Sequence, residues 1–232
     1  MTALSRALIA SRLPPSRTPR RPPPTVSEGL LRAGLRRALE GRLAGGPIRV
    51  FAYGALMWER DAVPGGRVAP ATLRGFVRRW CLRDIHNRGT PEAPALTLGL
   101  EPADPEARCD GLLYTLPAET EEEALWSAWR HEMTPGFYRH AWVAASGAAG
   151  GPTLPALTFV ANPRHPLYAG ALPEGEREAV LAAAVGPQGP AADYLLRTAE
   201  TLRAHGLRDP LLDRLAEAVV ARLAAMPEAG AA

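Results

Sequence analysis

Strand-like segments crowd the first two-thirds of this chain of 232 residues, whereas helical patterns gather towards its end. The strand-like runs contain alternating, β-branched or aromatic residues and lie at 48–53, 72–82, 95–100, 109–116, 138–145 and 154–161. The helical patterns lie at 27–43, 119–132, 174–185, 191–205 and 210–226. A doubly wound sheet would need strands and helices to alternate. The observed order instead predicts an α+β fold with a curved or closed sheet.

The first 25 residues differ in composition from everything that follows. They carry five arginines, six prolines and no acidic residue, so the formal net charge of +3 becomes −2 once those arginines are left out. Prolines at this density interrupt helices and oppose a packed core. We therefore predict a disordered arm over 1–26, a single domain over 27–226 and a frayed C-terminus over 227–232.

Composition also limits the compartment and the partners. Lysine is absent, and arginine is abundant together with alanine, glycine and proline, as in proteins of GC-rich genomes. Arginine content alone therefore does not predict a nucleic-acid partner. No apolar run reaches the roughly 20 residues of a membrane span, and the prolines argue against an organellar transit peptide. Cys81 and Cys109 lack metal-ligand spacing. We predict a reduced, cytoplasmic protein that binds no nucleic acid, membrane or metal.

A strand that ends at a glycine provides the first candidate binding site. The apolar run from Ile48 continues into the sequence FAYGALMW at residues 51–58. A glycine in such a loop allows backbone N–H groups to face a small anion without a Cβ in the way. An ordinary glycine turn is the alternative. The candidate binding residues are Tyr53, Gly54, Ala55 and Leu56.

A carboxylate at the end of the helical pattern 119–132 is the candidate base. Glu132 lies three residues after Trp129, so its carboxyl projects towards the apolar side of the helix. Desolvation there raises the pKa of a carboxyl and makes it a better base at neutral pH. The alternative is a solvated acid paired with Arg130 or Arg139. A zinc motif starting at His131 fails, because the second histidine would fall on a proline.

Two polar loops at strand ends supply further candidates. Arg88 lies in the loop before the run 95–100 and could clamp a carboxylate with two hydrogen bonds. An ion pair between Arg88 and Glu92 is equally open. Tyr168 follows the run 154–161 and could present its hydroxyl to a ligand, although such tyrosines often cap the core instead.

These segments, in this order, resemble the ChaC-type γ-glutamylcyclotransferases of bacteria. The resemblance covers about residues 48 to 215 and does not depend on any one motif. It is carried by FAYGALMW, NRGTPEAPALTLGL, CDG at 109–111, RHEM at 130–133, NPRHPLYAG at 162–170, and GPQG with the following DYL at 186–195.

The resemblance implies a γ-glutamylcyclotransferase-like fold, in which a mixed sheet closes into a small barrel with flanking helices. It implies a cofactor-independent lyase that converts glutathione into 5-oxoproline and the dipeptide Cys-Gly. By position, Glu132 matches the catalytic glutamate of the family, and residues 53–56 match its substrate-binding loop. The family usually has serine where this chain has Ala55, which removes one hydroxyl from the loop.

The residues suit this chemistry. The α-amine of a γ-glutamyl compound can close a five-membered ring on the γ-carbonyl once a base such as Glu132 removes its proton. Cyclisation of another γ-glutamyl amine or amino acid is the alternative within this class. Two other classes stay open: a non-catalytic regulator of cation transport, and an arginine-rich arm that binds nucleic acid or an acidic surface.

Overall fold

The computed structural model describes residues 3–16, 26–42, 46–147 and 151–229. Its helices are α1 (Ala3–Arg12), α2 (Glu28–Glu40), α3 (Glu121–Met133), α4 (Glu174–Ala183), α5 (Ala191–Ala204) and α6 (Pro210–Ala225). Its strands are β1 (Arg49–Ala52), β2 (Arg67–Arg74), β3 (Phe76–Asp84), β4 (Ala95–Pro102), β5 (Arg108–Thr115), β6 (Tyr138–Gly147), β7 (Thr153–Ala161), β8 (Val185–Gly186) and β9 (Gly189–Pro190).

Five of the strands close a barrel in the order β1-β5-β2-β6-β7. The barrel closes because β7 returns to pair with β1 in parallel at Val50 and Leu157, whereas its other strand pairs are antiparallel. Strands β3 and β4 form a separate antiparallel hairpin. The predicted α+β class, with a mixed barrel and flanking helices, is therefore confirmed.

An apolar core joins the barrel to the helix that carries the candidate base. Phe51, Phe159 and Trp129 are among the largest fully buried side chains. The rings of Trp129 on α3 and Phe159 on β7 pack edge to face, with centroids 6.1 Å apart. Burying an aromatic side chain contributes about 1.5–3 kcal/mol to stability. This packing fixes α3 against the barrel and so positions the residues of its last turn.

The predicted run 72–82 proves to be two strands. Gly75 separates β2 from β3 with φ at 73°, in the left-handed region that favours glycine. Its N–H donates to the Ala107 carbonyl, and its own carbonyl accepts from Ala103. The other predicted strands and helices are found with ends shifted by a few residues; the helix predicted over 27–43 ends at Glu40.

The predicted disordered arm over 1–26 is wrong for its first half. Helix α1 packs on α5 and α6, and Ile9 and Leu13 are buried in the main core. The prolines begin only at Pro14, after this helix has ended, so they do not interrupt it. The packed structure thus starts before residue 27, and residues 17–25 lie outside the described part.

The C-terminus is held by the same helix. Ala229 donates its N–H to the Ser11 carbonyl at 2.9 Å, and Glu228 forms an ion pair with Arg12 at 3.3 Å. The predicted fraying over 227–232 is therefore wrong up to residue 229, and the last three residues lie outside the described part. Within the described residues, no helix combines the length and hydropathy that crossing a membrane requires.

Candidate active site

A cavity of about 970 Å³ opens where the loops after β1 and β3 meet the last turns of α3 and the start of α5. This is the volume of a typical small-molecule site. Its walls combine a carboxylate, guanidinium groups and aromatic rings, contributed by Trp58, Arg88, Glu132, Tyr138, Tyr194 and Arg197. Elements far apart in the sequence therefore converge on one site.

Glu132 lies in the last turn of α3 and lines this cavity. Its side chain is half-buried, one turn beyond the Trp129 ring that holds the helix to the barrel. Burial raises the pKa of its carboxyl; the neighbouring His131 lowers it, and the negative charge of Glu59 raises it. The carboxyl is therefore a stronger base than an exposed glutamate.

The neighbouring charges leave the Glu132 carboxylate unpaired. His131 Nε2 lies 2.7 Å from Glu59 Oε2, so this imidazole is engaged by Glu59 at the cavity wall. Across the described chain, no arginine or histidine nitrogen comes within 4 Å of a Glu132 oxygen, so the alternative pairs with Arg130 and Arg139 do not form. An unpaired, half-buried carboxylate can accept a proton from a ligand.

Three tyrosines surround the base. The hydroxyl of Tyr53 donates to the Phe159 carbonyl, and that of Tyr138 donates to the Leu98 carbonyl, each at 2.7 Å. Burial is the main cause that raises the pKa of Tyr53, Tyr138 and Tyr194, and the charge of Glu132 raises all three further. These phenols stay protonated at neutral pH, which leaves Glu132 as the basic group among them.

A buried arginine holds the glycine loop from behind. Arg78 on β3 is 3% exposed and forms an ion pair with Asp209 at 2.7 Å. Its Nε donates to the Tyr53 carbonyl at 2.7 Å, and its Nη2 donates to the Asp110 carbonyl at 2.5 Å. In a trans peptide the C=O and the following N–H point in opposite directions. The Gly54 N–H therefore points away from Arg78.

Close packing explains the glycine at position 54. Its φ of −135° lies outside the left-handed region that favours glycine. A Cβ on Gly54, however, would lie 2.9 Å from the Tyr194 hydroxyl oxygen. The loop continues into a single 3₁₀ turn over Ala55–Met57 that contacts α5. The glycine lets the loop and α5 approach each other beside the cavity.

Arg88 lines the cavity from the loop after β3. The Asp84 carboxylate accepts backbone N–H groups from His86, Asn87 and Arg88 at 2.8–3.0 Å, which fixes this loop. The Arg88 guanidinium pairs with Asp193 on α5 at 3.4 Å. The alternative pair with Glu92 is therefore wrong. Arg88 can bind a further anion, because its partner Asp193 also pairs with Arg197.

The structure brings part of the predicted site together. Glu132, Ala55 and Arg88 line the cavity, whereas Tyr53, Gly54 and Leu56 lie buried behind it.

Tyr168 is not among the residues that line the cavity, and its part in binding stays a prediction. Its hydroxyl donates to Glu101 Oε1 at 2.6 Å, and Glu101 also pairs with Arg79 at 2.8 Å. A phenol has one proton to donate, so this hydroxyl could meet a ligand only as an acceptor. Its backbone forms an isolated bridge with Leu82, which ties the loop to β3.

Sequence reasoning missed several cavity residues. Tyr194 belongs to the DYL sequence at 193–195, but nothing local assigns it a role. Trp58 ends the glycine loop, and its indole N–H donates to Thr198 at 3.3 Å, which orients the ring. Tyr138 opens β6 and reads as an ordinary aromatic strand residue. Only the fold places these rings around Glu132.

Metal-binding groups do not cluster in the part of the chain that the structure describes. No three His, Cys, Asp or Glu side chains there converge as a metal ion requires. The absence of a cofactor stays a prediction.

Comparisons with known proteins agree with this architecture. The chain is 35% identical, over 83% of its length and 81% of the relative's, to the glutathione-specific γ-glutamylcyclotransferase of Escherichia coli. It is 31% identical to the human glutathione-specific γ-glutamylcyclotransferase 1, over 68% of this chain and 70% of the relative. The crystal structure of a yeast γ-glutamylcyclotransferase specific to glutathione superimposes with a TM-score of 0.67 at 20% identity, covering 75% of this chain and 96% of that one.

The family comparison covers both the barrel and the cavity. The model of the ChaC-like protein family matches residues 48–222, a span that contains the glycine loop, the loop of Arg88, the last turn of α3 and helix α5. Helices α1 and α2 lie before the matched span. The chain belongs to the ChaC-like protein family.

Proposed function

We propose that this protein is a γ-glutamylcyclotransferase that converts glutathione into 5-oxoproline and Cys-Gly. The observation that carries the proposal is the half-buried carboxyl of Glu132, which lines a cavity of small-molecule size, has no ion-pair partner among the described residues, and has a raised pKa. The activity named for the Escherichia coli and human relatives supports the same assignment.

Glu132 acts as base and then as acid. It first removes a proton from the α-ammonium group of the γ-glutamyl residue, and the freed amine attacks the γ-carbonyl carbon to form a C–N bond. Two protons in all pass from this nitrogen to the departing amide nitrogen, one at a time through Glu132. The original amide bond then breaks, leaving a lactam and the amine of Cys-Gly. A carboxyl with a raised pKa suits both directions of transfer.

The remaining walls hold the substrate in its cyclising shape. The loop over residues 53–56 supplies backbone N–H groups to the oxyanion that forms on the γ-carbonyl, and Arg88 binds the α-carboxylate through its guanidinium. Holding the chain folded brings the amine and the carbonyl carbon together, the proximity that ring closure requires. The serine hydroxyl that Ala55 lacks is not needed if the loop works through its N–H groups.

Further features bear on the alternatives. A cavity much larger than a γ-glutamyl group favours a tripeptide over a γ-glutamyl amine. The intact base opposes a non-catalytic regulator. Arg6 pairs with Glu200 at 2.6 Å on the packed helix α1, which weakens the case for a free arginine arm that binds nucleic acid. A cytoplasmic location remains part of the proposal.

The test incubates purified protein with glutathione, N-acetylglutathione or α-linked Glu-Cys-Gly and measures the 5-oxoproline that is formed from each. Only glutathione is turned over, because acetylation removes the nucleophile and the α-linkage puts the scissile carbonyl out of reach of five-ring closure. Turnover of either analogue contradicts the mechanism, and no product from glutathione contradicts the proposed substrate.

A further inference from the structure

Two guanidinium groups that line the cavity, those of Arg88 and Arg197, share one carboxylate, that of Asp193. Arg88 Nη1 lies 3.4 Å from Asp193 Oδ2, and Arg197 Nε lies 2.8 Å from the same oxygen. This group of three side chains carries one net positive charge. A single carboxylate cannot neutralise both guanidiniums, so the wall can attract a further anion.

Trp58 keeps the two cations in place. The centroid of its ring lies 5.9 Å from the Arg88 guanidinium carbon and 5.4 Å from the Arg197 guanidinium carbon. The attraction between each cation and the indole helps to hold both guanidiniums at this wall. The hydrogen bond from the indole to Thr198 fixes the ring itself.

The two arginines differ in depth. The side chain of Arg88 is 11% exposed, whereas that of Arg197 is 50% exposed. Arg88 therefore lies at the inner part of the cavity wall and Arg197 at its rim. An extended ligand with two carboxylates would place one at each level.

Glutathione has such a pair of carboxylates. One is the α-carboxylate of the γ-glutamyl group, and the other ends the glycine. Two further residues follow the scissile bond, and at about 3.3–3.6 Å per residue they reach up to about 7 Å beyond it. The glycine carboxylate would therefore lie towards the rim when the γ-glutamyl group is held beside Glu132.

We propose that Arg197 binds the C-terminal glycine carboxylate of the substrate and thereby selects tripeptides over shorter γ-glutamyl compounds. This inference rests on the proposed function. Arg197 is a specificity-determining residue, distinct from Arg88, which holds the α-carboxylate.

The test compares glutathione with its glycine ethyl ester, which lacks only the outer charge. Wild type prefers glutathione by about tenfold in kcat/KM, the lower end of the range for a hydrogen bond to a charged group. R197Q loses about tenfold on glutathione, mainly through KM, and turns over both compounds with similar efficiency. R197K retains part of the preference, because lysine keeps the positive charge but lacks the paired N–H donors of a guanidinium.

R203Q is the matched control. Arg203 lies on the same helix and pairs with Asp213 on α6, and it does not line the cavity. This variant keeps the wild-type preference. If R197Q weakens both compounds equally, or keeps the preference for glutathione, the proposed contact is wrong.

A binding measurement separates this inference from the proposed function. Calorimetry with E132Q and the double variant E132Q/R197Q compares the affinities of glutathione and the ester without turnover. A preference in E132Q that disappears in the double variant supports the contact even if wild type releases no 5-oxoproline. Equal affinities in E132Q overturn it even if wild type is active.

Discussion

Replacing Gly54 by alanine tests the close packing of the glycine loop on α5. The added Cβ would lie 2.9 Å from the Tyr194 hydroxyl oxygen, closer than such atoms approach in folded proteins. The tyrosine ring has little room to retreat, because it packs edge to face against Trp58 at 5.7 Å and Trp80 at 5.1 Å. The substitution therefore forces the loop or the ring to shift.

Overpacking of this kind costs about 1–3 kcal/mol. For a chain of this size, each kcal/mol lowers Tm by about 2–4 °C. A mid-range penalty of about 2 kcal/mol thus lowers the Tm of G54A by about 4–8 °C. Activity falls as well, since the shifted loop borders the cavity.

Thermal unfolding of four proteins measures the effect: wild type, G54A, Y194F and the double variant. Removing the hydroxyl in Y194F makes room for the new Cβ, so the double variant is more stable than the sum of the two single changes predicts. Gly29→Ala is the control, because nothing lies within 4 Å of its Cβ, and it leaves Tm unchanged or raises it. A G54A protein with the Tm of wild type, or a strictly additive double variant, refutes the packing argument.

Three further predictions concern the base, Tyr168 and the N-terminal helix. Because burial raises the folded-state pKa of Glu132, wild type loses stability as pH rises through that pKa; E132Q does not. The Tm of E132Q relative to wild type therefore rises as pH increases above about 4, the ordinary range for a glutamate, and a difference that does not change with pH contradicts the raised pKa. Y168F keeps the kcat and KM of wild type on glutathione, since the Tyr168 hydroxyl donates its hydrogen bond to Glu101 outside the cavity. A large rise in KM would show that Tyr168 does contact the substrate. Deleting residues 1–16 lowers Tm by exposing the core around Ile9 but preserves activity below the melting range; an unchanged Tm would show that α1 does not pack.

The fold class was predictable from the order of strands and helices, because hydrophobic periodicity and turn-forming residues are local features of the sequence. The same local logic identified Glu132, whose spacing from Trp129 fixes the face on which it lies. It did not reveal the hydrogen bond from Tyr168 to Glu101, since a polar loop at a strand end does not show which side chains lie within reach of the hydroxyl. It also failed for α1, where the prolines from Pro14 onwards obscured an apolar helix.

The contacts that complete the cavity join residues far apart in the chain. Arg88 and Asp193 pair although they lie 105 positions apart in the chain. A Cβ at Gly54 would meet the hydroxyl of Tyr194, which is likewise distant in the sequence. Such contacts depend on how the barrel closes, which a single sequence does not encode in any one segment. The resemblance to the family supplied the order of the motifs but not these distances.

The most direct test of the central claim is 5-oxoproline release from glutathione by folded E132Q, measured beside wild type and E122Q. Glu122 lies exposed at the start of the same helix, so its variant controls for loss of a negative charge on α3. We predict that E132Q keeps its fold and loses turnover by at least about a hundredfold, in the range expected for a general acid–base group, whereas E122Q matches wild type. Turnover by E132Q within a few-fold of wild type would contradict the assignment of Glu132 as the base.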